Sequence, residues 1–385
     1  MSGKTIDDDI EYGAPPPVAN PDLIGHDEAE ATLKQAFACG RLAHAWLLSG
    51  PRGIGKATLA YRFARYVLAH GGPDAGPIAG PETGPDTGQG LFGDGLDLPE
   101  NKPDSLYIAP EHPVFRRVKS GGHSDLKVVI RTINDKTDKM RTEIVVEDVR
   151  SVNDFFHHTA GEGGWRVVVV DCADEMNTIA ANALLKVLEE PPPRGLLLLV
   201  SHNPGRLLPT IRSRCRKLVL HALPEDRVAS LISTYRPDLD DGDVSVLAHL
   251  ADGSPGRALA LADKGGLGLY RDMMGLLETL PRLDVGALHA FGGKLGKTGA
   301  DEAFHTVSGL LQWWLSRLIL AAAGGPMEGA EEALMKRLAG AASLDRWFEV
   351  WEKINRLLAK TDPINLSRKQ VVLNVFLSLQ SAVQS

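Results

Sequence analysis

The chain has 385 residues, 43% of them hydrophobic, and a formal net charge of −7. That length favours two to three domains with a core that needs neither disulfides nor a structural metal, and the three scattered cysteines, Cys39, Cys172 and Cys215, imply no disulfide framework. The negative balance argues against a general nucleic-acid coat. With no signal peptide and no run of about 18 apolar residues, the expectation is a cytoplasmic protein without membrane insertion.

Residues 1–20, with Asp7-Asp8-Asp9 and Pro15-Pro16-Pro17, read as a disordered tail. The apolar run Ala45-Trp46-Leu47-Leu48 reads as a strand, and Leu59, Phe63 and Val67 at spacing four read as a helix. Between them lies Gly50-Pro51-Arg52-Gly53-Ile54-Gly55-Lys56-Ala57-Thr58. This is the phosphate-binding pattern G-x-x-x-x-G-K-[ST] in its strand–loop–helix setting. Glycines let backbone N–H groups close around phosphates, and the lysine reaches the outer ones. Gly50, Gly53, Gly55 and Lys56 fit. Ala57 stands where a hydroxyl would touch Mg²⁺, and Thr58, one residue on, points about 100° away around the helix.

Residues 71–104 carry Gly-Pro every four residues from Gly72-Pro73 to Gly84-Pro85, which suits neither helix interior nor central strand and reads as a surface insert. Residues 116–141 hold eight basic residues, among them Arg116, Arg117, Lys127 and Lys136, and read as a solvated surface in preference to a DNA contact. Residues 127–130 read as a strand, and 143–150 start a helix. Residues 165–170 read as a buried parallel strand ending in Asp171, where a carboxylate would hold the Mg²⁺ shell. Hydrolytic enzymes of the AAA+ class carry a water-polarising Glu next. Here it is Cys172, a thiol that is small, largely neutral near pH 7 and a weak acceptor. The histidines His123, His157 and His158 lack metal-like partners, and no metal site is expected.

Downstream, Asn182-Ala183-Leu184-Leu185-Lys186-Val187-Leu188-Glu189-Glu190-Pro191-Pro192 precedes an apolar strand at 196–200, then Ser201-His202-Asn203-Pro204 and Thr210-Ile211-Arg212-Ser213-Arg214-Cys215. With Leu23-Ile24-Gly25-His26 and the stretch 44–50, this order resembles the ATPase-type subunits of the bacterial DNA polymerase III clamp loader, a branch of the AAA+ class, and most of all their delta-prime type. The resemblance is strong over 20–70 and 145–265 and weaker beyond. It implies an α/β P-loop domain with a parallel sheet at 21–220, a small helical lid at 221–265 and a C-terminal helical collar at 266–385. The family's four-cysteine zinc module is missing, with the 71–104 insert in its place.

The resemblance also implies roles. Arg214 would be an arginine finger aimed at ATP bound by a neighbouring subunit, a contribution of roughly 10³–10⁵ in rate. In hydrolysing relatives a γ-phosphate-sensing arginine follows Gly-Ser, whereas here Gly256 holds that place and Arg257 comes one residue late. With hydroxyl, glutamate and sensing arginine all replaced, the implied role is a stator of the polymerase III holoenzyme that hydrolyses no ATP itself. It needs no cofactor, although Gly50, Gly53, Gly55, Lys56, Thr58 and Asp171 form a degenerate cradle expected to hold ATP or phosphate weakly. The implied partners are clamp-loader ATPase subunits and a delta-type subunit in a hetero-oligomeric ring, with sliding clamp and primer–template DNA reached through that complex. The alternatives are an active AAA+ ATPase or translocase and a small-molecule P-loop kinase, the latter leaving Arg214 and the C-terminal helices without a task. Stretches at 304–323, 344–358 and 366–383 are amphipathic, with Trp313, Trp314, Trp347 and Trp351 expected in the core and the last two on one helix face.

Overall fold

The computed structural model describes residues 14–72, 105–134, 138–162, 164–326 and 331–384. Residues 1–13 of the expected tail, 73–104 of the expected insert, and Lys136 lie outside them. The strands are β1 Ala45–Ser49, β2 Leu126–Val129, β3 Ile133–Asn134, β4 Lys139–Met140, β5 Arg166–Val170, β6 Gly195–Ser201 and β7 Arg216–Val219. β3 and β4 make a short antiparallel ladder, and the other five form a parallel sheet in the order β2-β5-β6-β1-β7. β1 lies between β6 and β7, with Leu48 opposite Val200 and Leu218.

The central strands are apolar without alternation because both sheet faces are covered, as the crossovers of a parallel sheet require. Trp46, Leu48, Val167, Val169, Leu196 and Leu198 pack with α1 Asp27–Ala38, α2 Lys56–His70 and α3 Pro113–Lys119 on one face. The intervening Ala45, Leu47, Val168, Val170, Leu197 and Leu199 pack with α4 Val146–His157, α5 Thr178–Glu189 and α6 Pro209–Arg214 on the other. The period-two side-chain alternation thus divides one set of strands between two cores.

Part of the expected tail is held in place. The Arg65 guanidinium, buried on α2, donates to the carbonyls of Val18 (3.0 Å) and Asn20 (2.8 Å). Arg62 pairs with buried Glu30, donates to the Pro21 carbonyl and reaches Ser105 Oγ at 2.8 Å. Buried guanidinium donors need acceptors, and this stretch of backbone supplies them. Residues 14–20 are therefore corrected from free tail to a strap along α2.

The described residues divide into two compact units, one containing residues up to Val228 together with Gly253–Gly256, the other Ala229–Asp252 and residues from Arg257 onward. The second unit is helical. The helices from the end of the sheet onward are α7 Glu225–Tyr235, α8 Asp241–Leu250, α9 Pro255–Asp263, α10 Gly266–Glu278, α11 Val285–Leu295, α12 Asp301–Ala322, α13 Glu332–Ala339, α14 Leu344–Thr361 and α15 Arg368–Gln384. Asp240, Asp284 and Ser343 cap three of them by accepting first-turn N–H groups. Trp313, Trp314 and Trp347 are buried, as their spacing suggests. Trp351 is only half-buried and stacks on exposed Phe348, because α14 turns just one stripe, Trp347, Val350 and Ile354, into the core.

Candidate functional site: a P-loop with its carbonyls tied

The loop between β1 and α2 turns through left-handed backbone at its glycines, with φ of 149° at Gly50, 76° at Gly53 and 103° at Gly55. A Cβ on Gly50 would stand 2.2 Å from the Leu220 carbonyl oxygen, so no other residue fits there. Every carbonyl of the loop has a donor. Lys56 Nζ serves Gly50 (2.8 Å) and Pro51, and Ser254 Oγ serves Arg52 at 2.8 Å. The Gly256 N–H serves Gly53 at 2.9 Å, and the Leu59 N–H serves Gly55 at 2.9 Å. His26 Nε2 lies 2.6 Å from the Ile54 carbonyl, as its donor. With the carbonyls engaged by protein, the N–H groups are what this loop has to offer an anion.

Lys56 is 2% exposed. Burial brings its pKa down to about 8, against the pull of the Asp171 carboxylate at the end of β5. The Asp171 N–H continues the ladder to the Val129 carbonyl at 3.0 Å. Cys172 follows in left-handed backbone, φ 58°, with its Sγ 3.3 Å from His202 Nε2. Burial, then Asp171, push that thiol well above its ordinary range. Burial and then Lys56 bring His202 down to about 4, so thiol and imidazole meet as neutral groups. Burial alone would raise Asp174, but the N–H groups of His202 (2.9 Å) and Asn203 (3.1 Å) hold it below the usual carboxylate range. Thr58 is buried on α2.

The structure therefore brings together Gly50, Gly53, Gly55, Lys56 and Asp171. These residues fit a phosphate, through loop amides and an ammonium. They do not fit a catalytic Mg²⁺–water pair, because Ala57 offers no hydroxyl and the Cys172 thiol is no base. Among the described residues, no group of three or more His, Cys, Asp and Glu could hold a metal.

Arg214 is elsewhere, the last residue of α6. Its Nη2 lies 2.9 Å from Glu189 Oε1 and its Nη1 donates to the Thr210 carbonyl at 3.1 Å. In the basic stretch at 116–141, Arg117 pairs with Glu162 and Arg131 with Glu175 at 2.9 Å. Sequence reasoning missed His26, Ser254, His202 and Glu189. A signal existed for Ser254 in the run Asp252-Gly253-Ser254-Pro255, since Asp-Gly marks a tight turn and Pro opens a helix; the structure has that turn, with φ of 52° and 74°, ahead of α9.

The model of the family described as DNA polymerase III, delta subunit, matches residues 101–224, a span that includes Asp171, Glu189 and Arg214. A DNA polymerase III subunit delta' of Pseudomonas aeruginosa is 33% identical over 254 residues, 66% of this chain and 65% of that one. The chain is similar to DNA polymerase III delta-prime and gamma/tau subunits. The gamma/tau subunit of Mycobacterium tuberculosis is 26% identical over 367 residues, 87% of this chain and 57% of that one. The matched stretch thus spans less than two thirds of these relatives, 65% and 57%. Among solved structures, a DNA polymerase III gamma subunit-related protein from Thermotoga maritima is similar at a TM-score of 0.44 and 16% identity, covering 91% of this chain and 99% of that one.

Proposed function

We propose that this chain is a delta-prime-type stator of a DNA polymerase III clamp loader. It stands beside gamma/tau-type ATPase subunits in a cytoplasmic hetero-oligomeric ring, helps them load a sliding clamp onto primed DNA, and supplies Arg214 to a neighbour's ATP. The observation that carries the reading is an intact phosphate cradle with its hydrolytic parts replaced. Lys56 and the loop glycines are in place, Ala57 and Cys172 stand where a metal hydroxyl and a base belong, and Gly256 packs directly on Gly53. Such a site holds an anion and leaves water unactivated. ATP or phosphate binds weakly and without need of Mg²⁺, and turnover belongs to the partners. The family relationship supports the partner class, and no helix among the described residues is long and apolar enough to cross a membrane.

The test is reconstitution with the gamma/tau-type subunit of the same organism. This chain by itself should release no phosphate from ATP, yet it should co-purify with that subunit and raise its clamp- and DNA-stimulated ATP hydrolysis. Steady turnover by the isolated chain, or no effect on the partner, rejects the stator.

A further inference from the structure

Arg214 reaches the surface already committed. Its guanidinium meets the carboxylate of Glu189, the last residue of α5, at 2.9 Å, and the carbonyl of Thr210, one turn back on α6, at 3.1 Å. α5 and α6 pack against each other over a shared core that includes Leu184, Leu188 and Ile211, so the carboxylate stands on a fixed support. The pair is open to solvent, with side-chain exposures of 36% for Arg214 and 51% for Glu189. Ion pairs this exposed add little to folding stability. They do restrict rotamers, and an arginine side chain is long enough to lose much freedom when it must meet a ligand. The two contacts occupy two of the five guanidinium N–H donors, and the others stay available. Of the other arginines in this stretch, Arg216 lies over the Trp46 ring at 4.8 Å.

We propose that Glu189 is the positioning residue for Arg214. It holds the guanidinium in one orientation before a phosphate arrives, so that the remaining N–H groups meet the transferring phosphoryl of the adjacent subunit without first being ordered. The inference rests on the reading of Arg214 as a finger acting in trans. Glu189 touches no nucleotide, and its effect passes entirely through Arg214.

The experiment uses the reconstituted complex with clamp and primed DNA, and reads kcat and KM for ATP. Glu189→Ala should lower kcat at the dependent site about fivefold, the equivalent of about 1 kcal/mol, with KM unchanged. Glu189→Gln, whose amide oxygen still accepts from the guanidinium, should recover most of that loss. In an Arg214→Ala background, Glu189→Ala should cost nothing more. Circular dichroism and co-purification check that each variant folds and assembles. Full activity in Glu189→Ala, a loss that Gln fails to recover, or a further loss in the double variant overturns the positioning role. Arg214→Ala at full rate overturns the finger itself, a separate result.

Discussion

A Cβ built on Gly256 would lie 3.1 Å from both Cα and the carbonyl oxygen of Gly53. Both obstacles are backbone atoms of the P-loop, so relief requires the loop to move, and overpacking of this kind costs roughly 1–3 kcal/mol. Gly256→Arg should lower the melting temperature without conferring ATP hydrolysis, and Gly256→Ala should show most of the same drop, because the first carbon is the cause. A Gly256→Ala protein as stable as the parent would mean that the loop yields to a Cβ without strain. Lys56 makes a second prediction at this scale. Only its ammonium form attracts an anion, and burial brings its pKa down to about 8. Raising the pH through 8 therefore removes the positive charge that an unperturbed lysine would keep to about 10.4. His202, brought down to about 4, is neutral throughout that range, and the Cys172 thiol, pushed far up, stays neutral as well. Sulfate, whose own charge is constant here, should bind by calorimetry more weakly at pH 9.5 than at pH 7. Equal affinity at the two values excludes Lys56 as the binding charge.

The strands were legible in the sequence because a parallel sheet buries both faces, and short unbroken apolar runs such as those of β1, β5 and β6 suit little else. The P-loop was legible for a related reason, since its chemistry is confined to one short turn. The partners of that turn were not. Ser254 is 202 residues from Arg52, and nothing local to either residue says that they touch. The pair of Glu189 and Arg214 was equally hidden, because α5 and α6 are separated along the chain by β6 and meet only once both have packed on the sheet and on each other. The strap at 14–20 was misread since prolines and acidic residues imitate a tail, while the acceptors that hold it are carbonyls, which every residue has. Arg65 on α2 decides its fate. The guanidinium is buried, which lowers its pKa to about 10, and two of its donors bind strap carbonyls. Arg65→Met keeps the volume and removes the donors. Lost hydrogen bonds and relieved charge burial oppose each other in global stability, but only the loss acts on the strap. Hydrogen exchange should quicken at 14–22 while the amides of β1 stay slow. Unchanged exchange at 14–22 would mean that Arg62 at the Pro21 carbonyl and the packing of Val18, not Arg65, hold the strap.

For the whole molecule, the decisive question is which end of the chemistry this chain serves. A motor depends on its own P-loop lysine, because that residue neutralises the phosphates it cleaves. A stator depends on what it lends to its neighbour. The two cases order the same pair of variants oppositely. Lys56 is buried and donates to its own loop carbonyls, beside an alanine and a neutral thiol where a metal ligand and a base belong. Arg214 is partly exposed, on a helix apart from that loop. In a reconstituted ring, Arg214→Ala should leave the chain folded and assembled yet lower clamp- and DNA-stimulated ATP hydrolysis. The loss of an arginine acting in trans is on the order of 10³ or more at a fully dependent site. The bulk rate should fall only several-fold, since the other sites of the ring keep their own arginines, and single-turnover measurement should show one slow site among normal ones. Lys56→Ala should leave turnover within about twofold of the parent, a change of at most about 0.4 kcal/mol in barrier. If Lys56→Ala abolishes hydrolysis while Arg214→Ala is silent, the chain is the motor and the stator assignment fails.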